Sequence, residues 1–280
     1  MNASLIARLV CPSCKQPLIA EDELRCSACG RRFPQRDPRW IDLLPHGWAT
    51  QFDNWSKRQR EMEQAYDELS TDPAHARLAY RSDLDGYRGH LSRCDGRVLD
   101  IGGGYGLVRH YLPTATDYTV LDPSTSWFAQ PWHLIADEFP CLTTPPPFVR
   151  GVAEHLPFPD ASLDWVLSFW SINHLADPLR ALAECARVVR PGGGLLLSME
   201  DMEPSWADIT NGTYVDGRFP TRAALVRAKL RAAVAGWPLQ PDHTRISERD
   251  LRRWTQRFRW EERRWAGTYL TVILRREQDR

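Results

Sequence analysis

The chain has 280 residues, no formal net charge and 42% hydrophobic residues, which fits one sizeable globular domain with an appendage, or two modest domains. The balanced charge gives no global electrostatic support for a nucleic-acid partner, although it does not exclude one. Because no apolar run approaches the roughly 18 residues of a membrane span, and the N-terminal apolar stretch is too short for a secretory signal, we expect a cytoplasmic protein with no membrane partner; its oligomeric state stays open.

Four of the seven cysteines lie close to the N-terminus in two CxxC pairs, Cys11 with Cys14 and Cys26 with Cys29. The interval between the pairs fits a short hairpin. Four thiolates at this spacing are the ligand set of a closed, structural zinc site, with no position open for catalysis. A redox dithiol is the weaker interpretation, because redox CxxC motifs occur singly. So small a unit buries little apolar surface, and we expect the metal to carry its folding.

The two cysteine pairs are followed by Phe33-Pro34 and by Ile41-Asp42-Leu43-Leu44-Pro45. In this order the pattern resembles two kinds of zinc ribbon. One stands alone as a partner protein that activates methyltransferases, and the other lies at the front of bacterial large-subunit rRNA guanine methyltransferases. The resemblance covers residues 1–45, which we expect to form a zinc ribbon.

Residues 46–95 are rich in charged and aromatic side chains and predict a helical linker or cap. One helix precedes a break at Thr71-Asp72-Pro73, and a second runs from Ala74 towards Leu91. We expect these helices mainly to connect the ribbon with the following domain and to pack on it. The alternative is that side chains such as Tyr80 and Tyr87 cover a ligand pocket.

An apolar run ending in Asp100 is followed at once by a glycine-dense turn. Gly102, Gly104 and Gly106 tolerate positive φ angles and let the backbone approach a ligand closely. A helix is predicted to begin near Leu107, with its N-terminal amides facing the turn. The segment is typical of a nucleotide-type ligand cradle at the carboxyl end of a strand.

The next predicted strand ends in a second acid, Asp122, at a position from which a carboxylate can accept hydrogen bonds from ribose hydroxyls. Taken alone, this arrangement also fits a dinucleotide site. A dinucleotide fingerprint, however, would need glycine at Leu107 if Gly102 and Gly104 were its first two glycines. It also would not call for Asp100 directly before the turn.

Further downstream the chain reads GVAEHLPFPD from Gly151, LDWVLSFWSINHL from Leu163 and RPGGG from Arg190. Together with LDIGGGYG and VLDPS, these pieces resemble the class I S-adenosylmethionine-dependent methyltransferases, especially the large group that acts on small molecules. The resemblance covers roughly residues 96–200. It implies an α/β fold, with a Rossmann-like seven-stranded methyltransferase sheet and a small N-terminal zinc ribbon.

The resemblance implies that one set of residues binds S-adenosylmethionine: Asp100, Gly102, Gly104, Gly106, Asp122, Ala153, Glu154 and Phe169. Asp100 would lie near the methionine amino group and Asp122 at the ribose hydroxyls. Ala153 and Glu154 would bracket the adenine, mainly through backbone amides. Phe169 would end the strand where the sulfonium meets the acceptor.

Methyl transfer requires little from the protein beyond alignment of donor and acceptor, because a sulfonium is already a good electrophile. A hydroxyl acceptor would benefit from a base with a pKa near neutrality. The candidate bases are His174, after the fourth strand, and His243, before the last helix, although a lone histidine more often has a packing role. Many relatives have Asp where this chain has Val152, which removes an acceptor for the adenine amino group.

We assign residues 96–280 to the methyltransferase domain, with an insertion at about 201–246 as a lid over the acceptor. The segment 251–276 is rich in Arg and Trp and could form an RNA-binding surface. A capped helix after Ser247, followed by a closing antiparallel hairpin with its arginines in solvent, explains the pattern better.

Three functions fit the sequence: O- or N-methylation of a small metabolite, methylation of rRNA or tRNA with the ribbon gripping the RNA, and a non-catalytic cofactor-binding partner module. The ribbon favours RNA, whereas the neutral charge and the stretch from His174 to Gly194 favour a small molecule. The nearly complete cofactor motifs argue against the silent module. We expect an enzyme that methylates a small-molecule acceptor and holds a structural zinc ion; the acceptor atom stays open.

Overall fold

The computed structural model describes residues 3–45, 71–237, 244 and 246–278. Its helices are Ala3–Ile6 (α1), Pro73–Asp85 (α2), Arg88–Leu91 (α3), Pro178–Val188 (α4), Trp206–Asn211 (α5), Arg222–Ala235 (α6) and Glu248–Trp254 (α7). The strands near the N-terminus are Leu18–Ala20 (β1), Leu24–Cys26 (β2), Arg32–Phe33 (β3) and Ile41–Asp42 (β4). The later strands are Arg97–Ile101 (β5), Asp117–Asp122 (β6), Phe148–Arg150 (β7), Leu163–Phe169 (β8), Val189–Met199 (β9), Phe258–Ala266 (β10) and Tyr269–Arg276 (β11). Within these ranges, no helix is long and apolar enough to cross a membrane.

The main sheet has the strand order β10-β11-β9-β8-β5-β6-β7-β4. The strands from β9 through β4 are parallel, and the β10–β11 hairpin joins β9 antiparallel. The predicted Rossmann-like sheet of seven strands is thus confirmed as β5 to β11. The eighth strand, β4, comes from the N-terminal segment and was not predicted.

The sheet is buried on both faces, as its parallel strands require. Val98, Leu99 and Ile101 in the central strand β5 are each at most 2% exposed. Helix α4 covers one face through the buried Leu182 and Cys185. Its start is fixed because the Asp177 side chain accepts the backbone N–H of Arg180, and Pro178 occupies the first turn.

Two helix predictions need correction. The helix expected from Leu107 is only the single 3-10 turn Leu107–His110, because Pro113 follows within one turn and cannot continue a helix. The second helix of the linker is divided into α2 and α3 at Gly86 and Tyr87. The first helix of the linker lies outside the described residues.

The N-terminal segment forms a small antiparallel sheet, β1-β2-β3, and then joins the main sheet through β4. Ile41 and Asp42 pair with Val149 and Arg150 of β7, and Leu43 N–H donates to the carbonyl of Arg150 at 2.9 Å. The Arg150 guanidinium also donates to the Asp42 carboxylate at 2.9 Å. One edge of the main sheet is therefore completed by the ribbon.

The ribbon also shares a hydrophobic core with the domain. Its buried side chains Leu5, Leu24 and Phe33 belong to the same apolar cluster as Leu156 and Val188 of the domain. Polar contacts reinforce this packing at Lys15 of the ribbon, whose ammonium donates to Glu184 at 2.6 Å and to the carbonyl of Leu156 at 3.1 Å. The ribbon is packed as part of the domain.

Candidate functional site

The glycine turn after β5 has the strained backbone that its sequence predicts. Gly102, Gly104 and Gly106 have φ angles of 68°, 55° and 75°, which residues other than glycine rarely adopt. A Cβ added to Gly102 would also come within 2.5 Å of the Ser171 Cβ. Glycine at this position is therefore required by both the backbone and the neighbouring strand end.

Asp100 is the next-to-last residue of β5, just before this turn. It is only 1% exposed, and its carboxylate accepts a 2.5 Å hydrogen bond from the Tyr118 hydroxyl. Burial raises the pKa of Asp100 to about 7; the Tyr118 hydrogen bond opposes this rise, and the nearby Asp122 charge adds to it. A cationic ligand group beside Asp100 would favour its ionised form.

Asp122, at the end of β6, is tied to the glycine turn by its own hydrogen bonds. Its carboxylate accepts the backbone N–H of Gly104 at 3.3 Å and that of Ser124 at 2.9 Å. The two predicted acids thus lie at the carboxyl ends of neighbouring parallel strands, on either side of the turn. This is the position in which nucleotide ligands bind to open α/β sheets.

A cavity of about 110 Å³ opens at this turn. Its wall consists of aromatic, aliphatic, glycine and acidic residues: Tyr80, Asp83, Leu84, Asp100, Gly102, Gly103, Gly104, Tyr105, Leu107, Val108, Trp127, Trp132, Phe169 and Trp170. None of these described lining residues is Lys, Arg or His. Carboxylates and aromatic faces without a competing cation suit a positively charged ligand.

The cavity is smaller than the roughly 300–1,000 Å³ of a typical ligand pocket. Trp127 packs against Gly104, where an added Cβ would lie 3.2 Å from the indole ring. The Trp132 indole N–H donates to the Trp127 carbonyl at 2.7 Å and holds this loop against the turn. Trp127 and Trp132 thus form a packed wall beside the glycine turn.

The aromatic wall of the cavity reaches the ribbon. Trp40, just before β4, lies 5.2 Å from Phe128, and Phe128 lies 5.7 Å from Tyr105 of the glycine turn, measured between ring centroids. Tyr105 in turn stacks on Trp132 at 5.3 Å with an interplanar angle of 12°. The ribbon is thus connected to the cavity wall through Trp40, Phe128 and Tyr105.

The structure brings together only part of the predicted cofactor set. Asp100, Gly102, Gly104 and Phe169 line the cavity, and Asp122 contacts it through Gly104. The remaining predicted residues, Gly106, Ala153 and Glu154, are not part of its wall among the described residues. Their roles in holding the cofactor stay predictions.

Glu154 has a clear structural environment. It is 1% exposed, its carboxylate accepts the backbone N–H of Asp177 at 3.1 Å, and its carbonyl accepts from the Arg180 side chain at 3.0 Å. Burial raises the pKa of this carboxyl. These contacts join the end of β7 to the start of α4, and Val152 beside them is buried.

The end of β8 carries the clearest backbone strain outside the glycines. Trp170 has a φ of 55°, which is uncommon for a bulky residue and marks a position held in place by its surroundings. Its backbone N–H donates to the carbonyl of Ser198 at 2.8 Å. His174 follows in the 3-10 turn Ile172–His174, half-buried and outside the cavity wall. His243 lies outside the described residues, so neither candidate base is tested.

The four N-terminal cysteines form one cluster, with their sulfur atoms all within 4.8 Å of one another. The Sγ atoms of Cys11 and Cys29 are 3.8 Å apart, and those of Cys14 and Cys26 are 3.3 Å apart. Tetrahedral zinc with Zn–S bonds of about 2.3 Å requires S···S distances of about 3.8 Å. The donor set and its spacing fit zinc.

A larger cleft of about 980 Å³ lies between α5, α6, α7 and β10. Arg263 in its wall donates to Asp208 at 2.6 Å and to Glu248 at 2.7 Å, and Lys229 donates to Glu203 at 2.6 Å. The positive charges of Arg263 and Lys229 are thus paired with these carboxylates. None of the described residues predicted to bind cofactor lines this cleft, whereas Asp100, Gly102, Gly104 and Phe169 line the smaller cavity.

Sequence reasoning missed the residues that make the cavity aromatic. Trp127 and Trp132 lie in the long segment between β6 and β7, which lacks a repeating pattern. Their position directly after the acid Asp122 was the available signal, because the loop that follows such an acid borders the ligand. Tyr80, in contrast, was considered as a pocket cover and does line the cavity.

Comparison with known families finds two matching segments in the chain. Residues 99–197 match the family described as methyltransferase domain, and residues 4–37 match the family described as Trm112p-like protein. The first match contains the glycine turn, Asp122 and the end of β8. The second contains the four cysteines.

Among curated proteins, the chain is similar to the phthiotriol/phenolphthiotriol dimycocerosates methyltransferase of Mycobacterium leprae. The two are 32% identical over 176 residues, or 59% of this chain and 60% of the relative. The demethylmenaquinone methyltransferase of Beutenbergia cavernae is 29% identical over 71% of this chain and 80% of its own length. The chain thus spans about 60% of the length of the first relative.

Among solved structures, the PH0226 protein of Pyrococcus horikoshii has a similar fold. Its TM-score is 0.51 at 16% sequence identity, with 78% of this chain and 99% of that chain covered. At this identity the likeness shows the fold alone.

Proposed function

We propose, from the premise that residues 99–197 form a methyltransferase domain and residues 4–37 a Trm112p-like ribbon, that the chain transfers a methyl group from S-adenosylmethionine to a small-molecule acceptor. The observation that carries the proposal is the cavity at the glycine turn. It lies at the carboxyl ends of β5 and β8 and is lined by carboxylates and aromatic rings. S-adenosylmethionine is itself a cation there, with an ammonium and a sulfonium.

The residues around the turn fit this donor. Asp100 would hold the methionine ammonium, and Asp122 would accept hydrogen bonds from the ribose. The donor supplies a methyl group already activated on sulfur. The protein has to exclude water and align the acceptor, and alignment alone provides a large part of such rate accelerations. Phe169 and Trp170 close the cavity on the side where the acceptor enters.

We propose that Cys11, Cys14, Cys26 and Cys29 hold a structural zinc ion. All four ligands are thiolates, so the site is closed, and its contribution is to folding rather than to the reaction. The two curated relatives reported above are named for small-molecule acceptors, and this supports a small-molecule acceptor for this chain. The RNA alternative, in which the ribbon grips the substrate, is addressed by the same experiment that tests the main proposal.

The test is a calorimetric titration of the purified chain with S-adenosylmethionine, followed by a titration with total tRNA and rRNA at low salt. We expect saturable donor binding and no RNA retention. Absence of heat at high micromolar donor would refute the assignment of the cavity. Tight RNA binding that weakens steeply with salt would favour the RNA alternative instead.

The donor affinity should depend on pH through Asp100. The pKa of about 7 for the free site means that Asp100 becomes protonated as the pH falls below 7, and a neutral carboxyl no longer attracts an ammonium. We expect the affinity to fall below pH 7 with a slope approaching about tenfold per pH unit. In Asp100→Asn the affinity should be lower and this slope should disappear. An equally steep slope in the variant would contradict the role of Asp100.

The raised pKa of Asp100 also predicts how the stability of the free protein changes with pH. The folded pKa of Asp100 lies above its unfolded value of about 3.9, so the unfolded state releases this proton first as the pH rises. Ionisation of Asp100 therefore lowers stability between about pH 4 and the folded pKa of about 7. Denaturant unfolding of the wild type and Asp100→Asn across this window measures the effect.

A further inference from the structure

We propose that the methyl acceptor is a cationic amine, recognised by the rings of Trp170 and Tyr269 together with the carboxylate of Asp83. The inference rests on the proposed function and names the substrate class of the same site. It depends on three observations: a connected group of aromatic rings at the end of β8, a carboxylate in the cavity wall that pairs with none of the described residues, and the absence of cations from the described part of that wall.

Four aromatic side chains meet at the acceptor side of the cavity. The ring centroids of Tyr87 and Phe169 are 4.9 Å apart, those of Phe169 and Trp170 are 5.9 Å apart, and those of Trp170 and Tyr269 are 6.1 Å apart. Phe169 and Trp170 line the cavity, and Tyr269 is 38% exposed. Aromatic faces grouped in this way attract ammonium groups.

Asp83 supplies negative charge to the same region from α2. Its side chain lines the cavity, and it makes no ion pair or hydrogen bond with any other residue in the described ranges. Burial raises the pKa of the Tyr269 hydroxyl, and the charges of Glu200 and Asp83 add to the rise. Tyr269 therefore faces a negative environment formed by two separate elements.

Among the described residues of segment 201–246, Arg218 is already paired with other carboxylates. Arg218 donates to Asp201 at 2.8 Å and to Asp216 at 2.7 Å, so its charge is already matched. An acceptor with a carboxylate or phosphate group would meet repulsion at Asp83. A neutral alcohol would gain little from this carboxylate, whereas an ammonium would gain from both the rings and the acid.

The reaction balances with the groups present. The acceptor enters as an ammonium and passes one proton to the Asp83 carboxylate, directly or through water. The free amine then uses its lone pair to form the N–C bond, while the C–S bond breaks and its electron pair stays on sulfur. The products are a methylated amine and S-adenosylhomocysteine, and the proton leaves to solvent from Asp83.

The first test measures binding without turnover. Benzyltrimethylammonium and benzyl alcohol are titrated into the protein saturated with S-adenosylhomocysteine. We expect the cation to bind at least about tenfold more tightly than the alcohol. Asp83→Asn, saturated with S-adenosylhomocysteine in the same way, should lose most of this preference. Asp95→Asn, which removes an exposed carboxylate outside the cavity wall, should preserve the preference.

The second test identifies the acceptor class. The enzyme is incubated with donor carrying a trideuterated methyl group and a deproteinised small-molecule extract, and the labelled products are separated by cation exchange and found by mass spectrometry. Label on retained amines supports the inference. Label only on neutral or acidic products, no label despite donor binding, or equal probe binding by Asp83→Asn and the wild type would overturn it. Failure to bind the donor at all would instead refute the proposed function.

Discussion

Replacing Gly102 by alanine should abolish measurable binding of S-adenosylmethionine while most of the chain stays folded. The φ of 68° is strained for alanine, at a cost of about 1–2 kcal/mol. The added Cβ would also lie 2.5 Å from the Ser171 Cβ. Ser171 cannot easily retreat, because its hydroxyl donates to the Ile101 carbonyl at 2.8 Å. The turn itself must move, and we expect at least about a hundredfold loss of affinity by calorimetry.

The matched control for this change is Gly89→Ala. Gly89 lies in α3 with an ordinary φ, and nothing lies within 4 Å of its added Cβ. Because alanine is the better helix former, this variant should be as stable as the wild type or slightly more so and bind the donor equally well. Normal donor binding by Gly102→Ala would show that the turn does not approach the ligand.

Replacing Cys26 by serine should remove zinc and destabilise the whole chain. Cys26 is fully buried, and its ribbon neighbours belong to the apolar cluster that continues into the domain. Loss of the metal would release β4 from the edge of the main sheet. We expect a loss of at least about 3 kcal/mol, since an assembled structural zinc site contributes on the order of 10 kcal/mol to folding. Zinc content and denaturant unfolding measure the two effects.

Cys141→Ser is the matched control, because it makes the same replacement of a thiol by a hydroxyl outside the four-cysteine cluster. Cys141 is partly buried in the domain and is not part of the four-cysteine cluster. This variant should keep one zinc ion per chain and lose little stability. One zinc ion per chain in Cys26→Ser, with unchanged unfolding, would refute the metal site as proposed.

The parts of the fold that the sequence predicts are those set by local pattern. The apolar run into Asp100, the positive-φ glycines and the capped helix α7 after Ser247 each follow from a few neighbouring residues. The failed prediction at Leu107 shows the limit of this reasoning. The glycine turn calls for a helix after it, and Pro113 shortens that helix to one turn.

The strand β4 could not be predicted for a different reason. Ile41 and Asp42 pair with residues more than a hundred positions away, and a two-residue segment carries no periodicity. The same holds for the candidate site. Asp100 and Gly104 were found from a motif, whereas Asp83 enters the cavity only because α2 packs beside the turn.

The short strand β4 also has a consequence for stoichiometry. Two paired residues give few hydrogen bonds, and a separate protein would need an interface of about 1,200–2,000 Å² to stay attached. Here the ribbon and the domain share one polypeptide, so the effective concentration of one for the other is on the order of millimolar whatever the dilution. The short strand pairing and the shared apolar core therefore do not have to sustain an association between separate chains, and every copy of the domain carries its own ribbon in a fixed ratio of one to one.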